Sequence, residues 1–394
     1  MKAKEKVIIR RADDYNVENI KKIIREGLKE FGLASKIQGR VTIKPNVVMA
    51  HPKIAPSAFT RSEFLDGLLS ALEDEKKGDL KITIAEKTGA GLPTSRMFRH
   101  AGYYKLKKKH RIKLLPIEEA NKERIALKKG KIHKKITTAR EIVDNDLLIY
   151  APKLKGNVLS QGLTASLKLN MGLLQDKERL WNHNFNLYEK IVDLLEVGFP
   201  DFIATDAIEV SFGGNQLTQH GRQLGAILMA TNPLAHDAVC AHILHLDPEK
   251  IDHLRLAQQR GYGPLRLDEI EITGDISLEE LRQKTKDWDL ALVRVDKLDC
   301  GIKTIVGEPY CSGGCQGVFL DWLYMAKDRK PKLWKKLPAW TVKAQGPCPL
   351  DAAQSRNPKS FLQDRPDPRC LFFPFHLLVP KAGQRKAVGS WIRR

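Results

Sequence analysis

The sequence predicts an α/β protein: a largely parallel sheet flanked by helices, with a smaller C-terminal α/β piece and an irregular tail. Three observations carry this. Short apolar runs rich in β-branched residues alternate with stretches of helical apolar spacing up to about residue 275. Helix-start and helix-stop signals fall between them. Polar residues gather at the ends of the apolar runs, where a parallel sheet places its ligands.

Val7-Ile8-Ile9 reads as the first strand. Val17, Ile20, Ile23, Ile24, Leu28 and Phe31 follow at helical spacing, with Gly32 as the stop. Val41-Thr42-Ile43 is a strand closed by Lys44-Pro45-Asn46, because proline cannot donate to a ladder. Thr60-Arg61-Ser62-Glu63 has the capping-box pattern and opens a helix through Leu72. Lys81 to Glu86 is a strand running into Gly89-Ala90-Gly91, and a helix follows around Thr94–His100. The run Asp146 to Ala151 is of buried-strand type, and Phe202–Ala207 and Gln223–Thr231 are further strands. Pro233 starts an apolar helix to about Leu246, and Pro248 to Gln259 is a second helix stopped by Gly261. Glu269–Gly274 is the last strand of the main domain, and Ser277-Leu278-Glu279-Glu280 is a second capping box. The expected division is a main α/β domain over 1–275, a small cysteine-containing piece over 276–342, and a tail over 343–394. Seven of the 20 prolines fall in those last 52 residues, and no apolar period survives apart from Leu371–Leu378. That composition predicts disorder, or a C-terminus replaced through a change of reading frame.

Composition narrows the function. Hydrophobic content of 42% with 29% charged residues is that of a soluble globular chain. The net charge of +20 points to an anionic substrate, nucleic acid or an acidic surface, but ten Lys and Arg against three Asp put +7 of it in the tail. No zinc-finger spacing, RNA-recognition aromatic motif or heptad supports nucleic acid, which stays an alternative. No window nears the ~18 apolar residues of a membrane span, and the N-terminus has no signal core, so a cytoplasmic location is expected. Six cysteines in 394 residues do not make a disulfide scaffold.

The stretch from Ala151 to Gly172 carries the chemistry. Lys153 and Lys155 follow a strand end, and Lys168 sits among Thr164, Ser166 and Asn170. Lysines placed so are costly to bury without an anion, and the hydroxyls and amide add hydrogen bonds to it. Lys44 and Asn46 close a neighbouring strand and complete the candidate anion-binding set. Glu86, with Gly89 and Gly91, resembles a ligand-cradling turn, although the fuller G-x-G-x-x-G fingerprint of a dinucleotide site is missing. Glu86, His183 and Asp206 are candidate acid/base groups or metal ligands. Asp237, near the start of an apolar helix, is also explained as a helix-terminus carboxylate. Cys311-Ser312-Gly313-Gly314-Cys315 lets two thiolates reach one ion or cluster, and Cys300 would be a third ligand. A [4Fe-4S] cluster normally needs four.

Taken in order, several of these pieces resemble the domain-of-unknown-function family 362. They are Ile43-Lys44-Pro45-Asn46, Ala85-Glu86-Lys87-Thr88-Gly89-Ala90-Gly91, Phe98-Arg99-His100-Ala101-Gly102-Tyr103, Pro152-Lys153-Leu154-Lys155, Thr164 to Gly172, His183, Asp206-Ala207-Ile208, Gly213-Gly214 and Thr231 to Val239. The resemblance covers roughly 40 to 275. It implies an α/β fold and an association with ferredoxin-type iron–sulfur modules, and so a ferredoxin-type partner. This chain departs from the pattern where a histidine usually follows Pro-Lys-Leu-Lys: here Gly156-Asn157 stands. The fused C-x2-C-x2-C module is absent. The expectation is an iron–sulfur-associated enzyme or redox accessory protein acting on a small anion. A non-catalytic iron–sulfur or metal carrier and a basic nucleic-acid-binding protein are the alternatives.

Overall fold

The computed structural model describes residues 3–51, 55, 57–89, 91–156, 162–180, 186–212 and 221–288, with three short strands beyond them. The described chain divides into two compact units, the first reaching through 288 and the second holding those three strands.

The first unit is built on a nine-stranded sheet in the order β11-β1-β10-β9-β7-β2-β3-β4, with β8 added beside β9. Its elements begin with β1 (Glu5–Arg11), α1 (Val17–Glu30), β2 (Gly39–Pro45), α2 (Ser62–Glu75) and β3 (Leu80–Glu86). Then come α3 (Thr94–His100), α4 (Tyr103–Lys109), β4 (Ile112–Pro116), β5 (Lys122–Ala126), β6 (Lys135–Ala139), α5 (Arg140–Val143), β7 (Leu147–Ala151) and β8 (Lys153–Lys155). The rest are α6 (Ser166–Leu169), α7 (Asp176–Leu180), α8 (Leu187–Asp193), β9 (Phe202–Ser211), β10 (Gly221–Ala230), α9 (Pro233–Ile243), α10 (Asp252–Gln259), β11 (Ile270–Gly274) and α11 (Leu278–Thr285).

The sheet is largely parallel, as the alternation predicts. β4, β3, β2, β7, β9 and β8 run one way, and β10 runs against β9 and β1. β7 shows why its sequence reads as a continuous apolar run. Leu148 and Tyr150 join the core under α8, α9 and α10, while Leu147, Ile149 and Ala151 join the core under α1 and α2. A strand covered on both faces needs no polar alternation. The small hairpin β5–β6 and the strand β4 were not read from the sequence.

Three local expectations change. Thr60 does not cap α2: the cap position is Arg61 with no side-chain bond, and the Thr60 hydroxyl instead donates to Ala151 O at 2.7 Å and accepts from Asn46 N at 3.0 Å. The segment after Pro248 is a 3-10 turn over Pro248–Lys250 and then α10. α9 ends at Ile243, short of Leu246. The second capping box is present, with Ser277 Oγ accepting from Glu280 N at 3.1 Å. α11 belongs to the first unit through the buried Leu281, past the expected boundary near 275.

In the second unit β13 (Thr341–Ala344) pairs in parallel with β12 (Lys303–Val306) and antiparallel with β14 (Leu378–Val379). Among the described residues no helix is long and apolar enough to cross a membrane.

Candidate functional site

The carboxyl edge of the parallel strands gathers the expected residues. β2 delivers Lys44 and then Asn46, and β3 ends in Glu86. β7 passes through Pro152 into β8, which carries Lys153 and Lys155. Asp206 of β9 stands opposite Lys153 in the ladder.

The first charged pair is Lys44–Glu86. Nζ lies 2.8 Å from Oε1, and both side chains are buried. The carboxylate also accepts from Lys87 N at 2.8 Å and from Val47 N at 3.2 Å. Gly172 lies so close that a Cβ there would collide with Glu86 Oε1 and Lys44 Nζ. Burial pushes the Glu86 carboxyl up and the Lys44 ammonium down in proton affinity, and their mutual attraction opposes both shifts.

The second pair is Lys153–Asp206, closed into a triangle by Tyr15. Lys153 Nζ lies 3.0 Å from Asp206 Oδ1 and donates to the Tyr15 hydroxyl at 2.7 Å, which donates to the same carboxylate oxygen at 2.9 Å. The other oxygen accepts from Arg61 N at 3.1 Å. Burial and then the Asp206 charge raise the Tyr15 phenol far above its ordinary value, so it stays protonated. Glu86 thus holds Lys44 and Asp206 holds Lys153.

Lys155 Nζ donates to Ala58 O at 3.0 Å, and the backbones of Lys155 and Thr164 exchange two hydrogen bonds. Lys168, in α6, is partly buried. Burial first, then repulsion from Lys155 and Arg179, drives its proton affinity well down. These cations share one field. After β2 and along the 164–170 segment, four buried side-chain atoms have no hydrogen-bond partner among the described residues: Asn46 Oδ1, Thr164 Oγ1, Ser166 Oγ and Asn170 Nδ2. Each such atom costs about 1–3 kcal/mol if left dry. Asn170 is oriented by its other end, which accepts from the Tyr150 hydroxyl.

Other residues support the site in ways the sequence does not show. Asp237 is neither the cap of its own helix nor exposed. Asn232 caps α9, while the buried Asp237 carboxylate accepts from Ser166 N at 2.8 Å and Leu167 N at 2.9 Å, pinning the start of α6. His236 bridges Asp237 Oδ1 at 2.8 Å and Thr205 Oγ1 at 2.7 Å, tying that segment to β9. Arg179 lies in a run of charged residues that reads as a solvated face, yet its Nη1 donates to Thr88 O at 2.6 Å and Lys87 O at 3.2 Å. Tyr15, in a polar loop, gave no signal at all.

In the turn after Glu86 the described N–H groups are engaged within the protein: Thr88 N donates to Thr94 Oγ1, Gly89 N to Val48 O and Gly91 N to Asp176 Oδ2. His183, Cys300, Cys311 and Cys315 lie outside the described residues. Among the described residues no three His, Cys, Asp or Glu side chains converge to hold a metal. A surface depression of about 530 Å³ opens near the amino ends of β2, β3 and β4, away from this edge. Charges on its wall pair with one another, Arg40 with Asp144 and Lys113 with Glu141, and nothing there suggests chemistry.

Residues 41–242 match the family described as Domain of unknown function (DUF362). Among solved structures, the lactate racemase apoprotein from Thermoanaerobacterium thermosaccharolyticum is similar at 16% identity and a TM-score of 0.39, over 61% of this chain and 57% of that one. A likeness that slight, over less than two thirds of the other chain, carries no argument about activity. No curated protein matches the chain.

Proposed function

The chain belongs to the DUF362 family, and from that premise and the sheet-edge geometry we propose that it binds a small oxyanion at the carboxyl ends of β2, β7 and β8 and acts on it. The observation that carries this reading is the set of buried polar atoms on Asn46, Thr164, Ser166 and Asn170 without partners among the described residues, beside Lys155 and Lys168. A folded protein rarely leaves such atoms dry, and an oxyanion with bound water supplies the partners that these hydroxyls and amides lack.

The two carboxylates take different parts. Asp206, saturated by Lys153, Tyr15 and Arg61 N, fixes the lysine that opens β8. Burial raises the proton affinity of Glu86 and lowers that of Lys44, and their 2.8 Å contact gives a proton a direct route between the two side chains. Glu86 is therefore the proton-transfer group of this proposal. The cysteine set Cys300, Cys311 and Cys315 belongs to a separate proposal of iron–sulfur binding. Anaerobic purification with metal analysis tests it: stoichiometric iron and sulfide with a visible absorbance lost in Cys311→Ser is expected, and metal-free colourless protein overturns it.

For the anion site, calorimetric titration at low salt with inorganic phosphate and with succinate is the test. Saturable binding, weakened about tenfold or more in Ser166→Ala and Lys168→Met, is expected. Neither probe binding, or equal affinity in the folded variants, overturns the assignment.

A further inference from the structure

We propose that Arg179 is the recognition fork of this site, and that the ligand presents two coplanar acceptor oxygens, as a carboxylate or a phosphate group does. The inference rests on the oxyanion reading above and deepens it.

Arg179 is half-buried in α7, and its guanidinium makes no ion pair among the described residues. The two carboxylates whose charge reaches it are both committed elsewhere: Glu86 to Lys44 at 2.8 Å, and Asp176 to Lys87 at 3.0 Å. The side chain is nevertheless held in place. Both acceptors it has, Thr88 O and Lys87 O, bind the same nitrogen, Nη1. The edge formed by Nη2 and Nε is therefore left without a protein acceptor among the described residues. A guanidinium fixed through one nitrogen, with its opposite edge unengaged, is pre-organised for two parallel N–H···O bonds.

Its position ties that edge to the rest of the site. The Arg179 charge depresses both Lys44 and Lys168, which places it in the field of the two lysines that come from β2 and α6. Lys87 and Thr88, whose carbonyls anchor it, directly follow Glu86 in the chain. The fork is thus anchored at the carboxyl end of β3, beside the residue that pairs with Lys44. A lysine in place of Arg179 keeps the charge and loses the fork, which separates planar recognition from simple attraction.

The experiment titrates inorganic phosphate and succinate into wild type, Arg179→Lys, Arg179→Gln and Lys168→Met, each checked for folding by circular dichroism. At least one probe is expected to bind wild type about tenfold or more tighter than folded Arg179→Lys, with Arg179→Gln no better. The probe that loses most tells carboxylate from phosphate. If wild type binds neither probe, the oxyanion reading fails and takes this inference with it. If Lys168→Met weakens binding while Arg179→Lys equals wild type, only the fork is overturned. Should the arginine variants not fold, phenylglyoxal labelling of wild type read by mass spectrometry decides. Labelling of Arg179 that saturating probe suppresses is expected, and no labelling, or labelling indifferent to the probe, overturns it.

Discussion

Acid should loosen this protein from about pH 6.5 downward, and His253 is the main reason. The imidazole is 1% exposed, stacked on Tyr188 with ring centroids 6.1 Å apart, and its Nδ1 has no partner among the described residues. Burial, and then repulsion from Lys168, lowers its pKa from 6.5 to about 3. Between those two values the unfolded chain binds a proton that the folded chain refuses. Stability therefore rises with pH across that window: the contribution is complete above pH 6.5 and is lost as pH falls toward 3. At about 1.4 kcal/mol per pH unit, moving from pH 6.5 to 5 removes about 2 kcal/mol, and the whole window about 5 kcal/mol. His133, lowered by burial to about 4, acts in the same direction. Urea unfolding of wild type and His253→Phe at pH 7.5, 6 and 5 measures this. Phenylalanine keeps a ring against Tyr188 and cannot titrate, so the variant should lose about 2 kcal/mol less than wild type between pH 7.5 and 5. Parallel stability–pH curves for the two proteins would refute the assignment of a neutral, buried His253.

Other perturbations separate structural from ligand-facing groups. Lys153→Met leaves the Asp206 carboxylate buried with only Tyr15 and Arg61 N, and should cost about 3–5 kcal/mol in urea unfolding; adding Asp206→Asn should restore part of that. Gly172→Ala drives a methyl group into Glu86 Oε1 and Lys44 Nζ, so a loss of about 1–3 kcal/mol is expected together with weaker phosphate binding in titration. Asp237→Ala removes the acceptor of Ser166 N and Leu167 N and should cost about 1–3 kcal/mol in the same unfolding assay, with phosphate affinity falling as well.

The sheet was legible because burial on both faces writes a plain apolar run, as in Leu147–Ala151. β4 was not, because its Ile112-Lys113-Leu114-Leu115-Pro116 follows a lysine-rich stretch and reads as the end of a basic helix. The β5–β6 hairpin hid behind lysines at the outer positions of both strands. In the site, Lys44, Lys153 and Lys155 are legible from the ends of the apolar runs, but which carboxylate meets which lysine depends on register. Lys153 faces Asp206 only because β8 and β9 pair in that frame, and a one-residue slip would turn the side chain to the other face. Thr60 misled for a related reason. Its pattern fits a capping box, yet the chain brings Asn46 N and Ala151 O within its reach, and these long-range partners claim the hydroxyl.

The pairings also divide the site in two. Lys44 and Lys153 have their desolvation offset within the protein, by Glu86 and Asp206, and such pairs contribute rigidity more than affinity. The segment from Thr164 to Asn170 is different. Its backbone is held firmly, by the Lys155 bridge at one end and by the Asp237 carboxylate at the start of α6. Its side chains leave Thr164 Oγ1, Ser166 Oγ and Asn170 Nδ2 without partners among the described residues. A backbone fixed by long-range contacts with side-chain polar atoms left over is the arrangement expected of a pre-organised binding element. A segment shaped only for stability would have those atoms satisfied or replaced by apolar ones. His236 extends the same support to Thr205, the residue before Asp206, so both halves of the site are braced by β9 and α9. The ligand's contribution should therefore be read in the 164–170 segment: hydrogen exchange of Ser166, Leu167 and Lys168 amides should slow on adding phosphate, while β7 and β9, already closed by their own pairs, should not change.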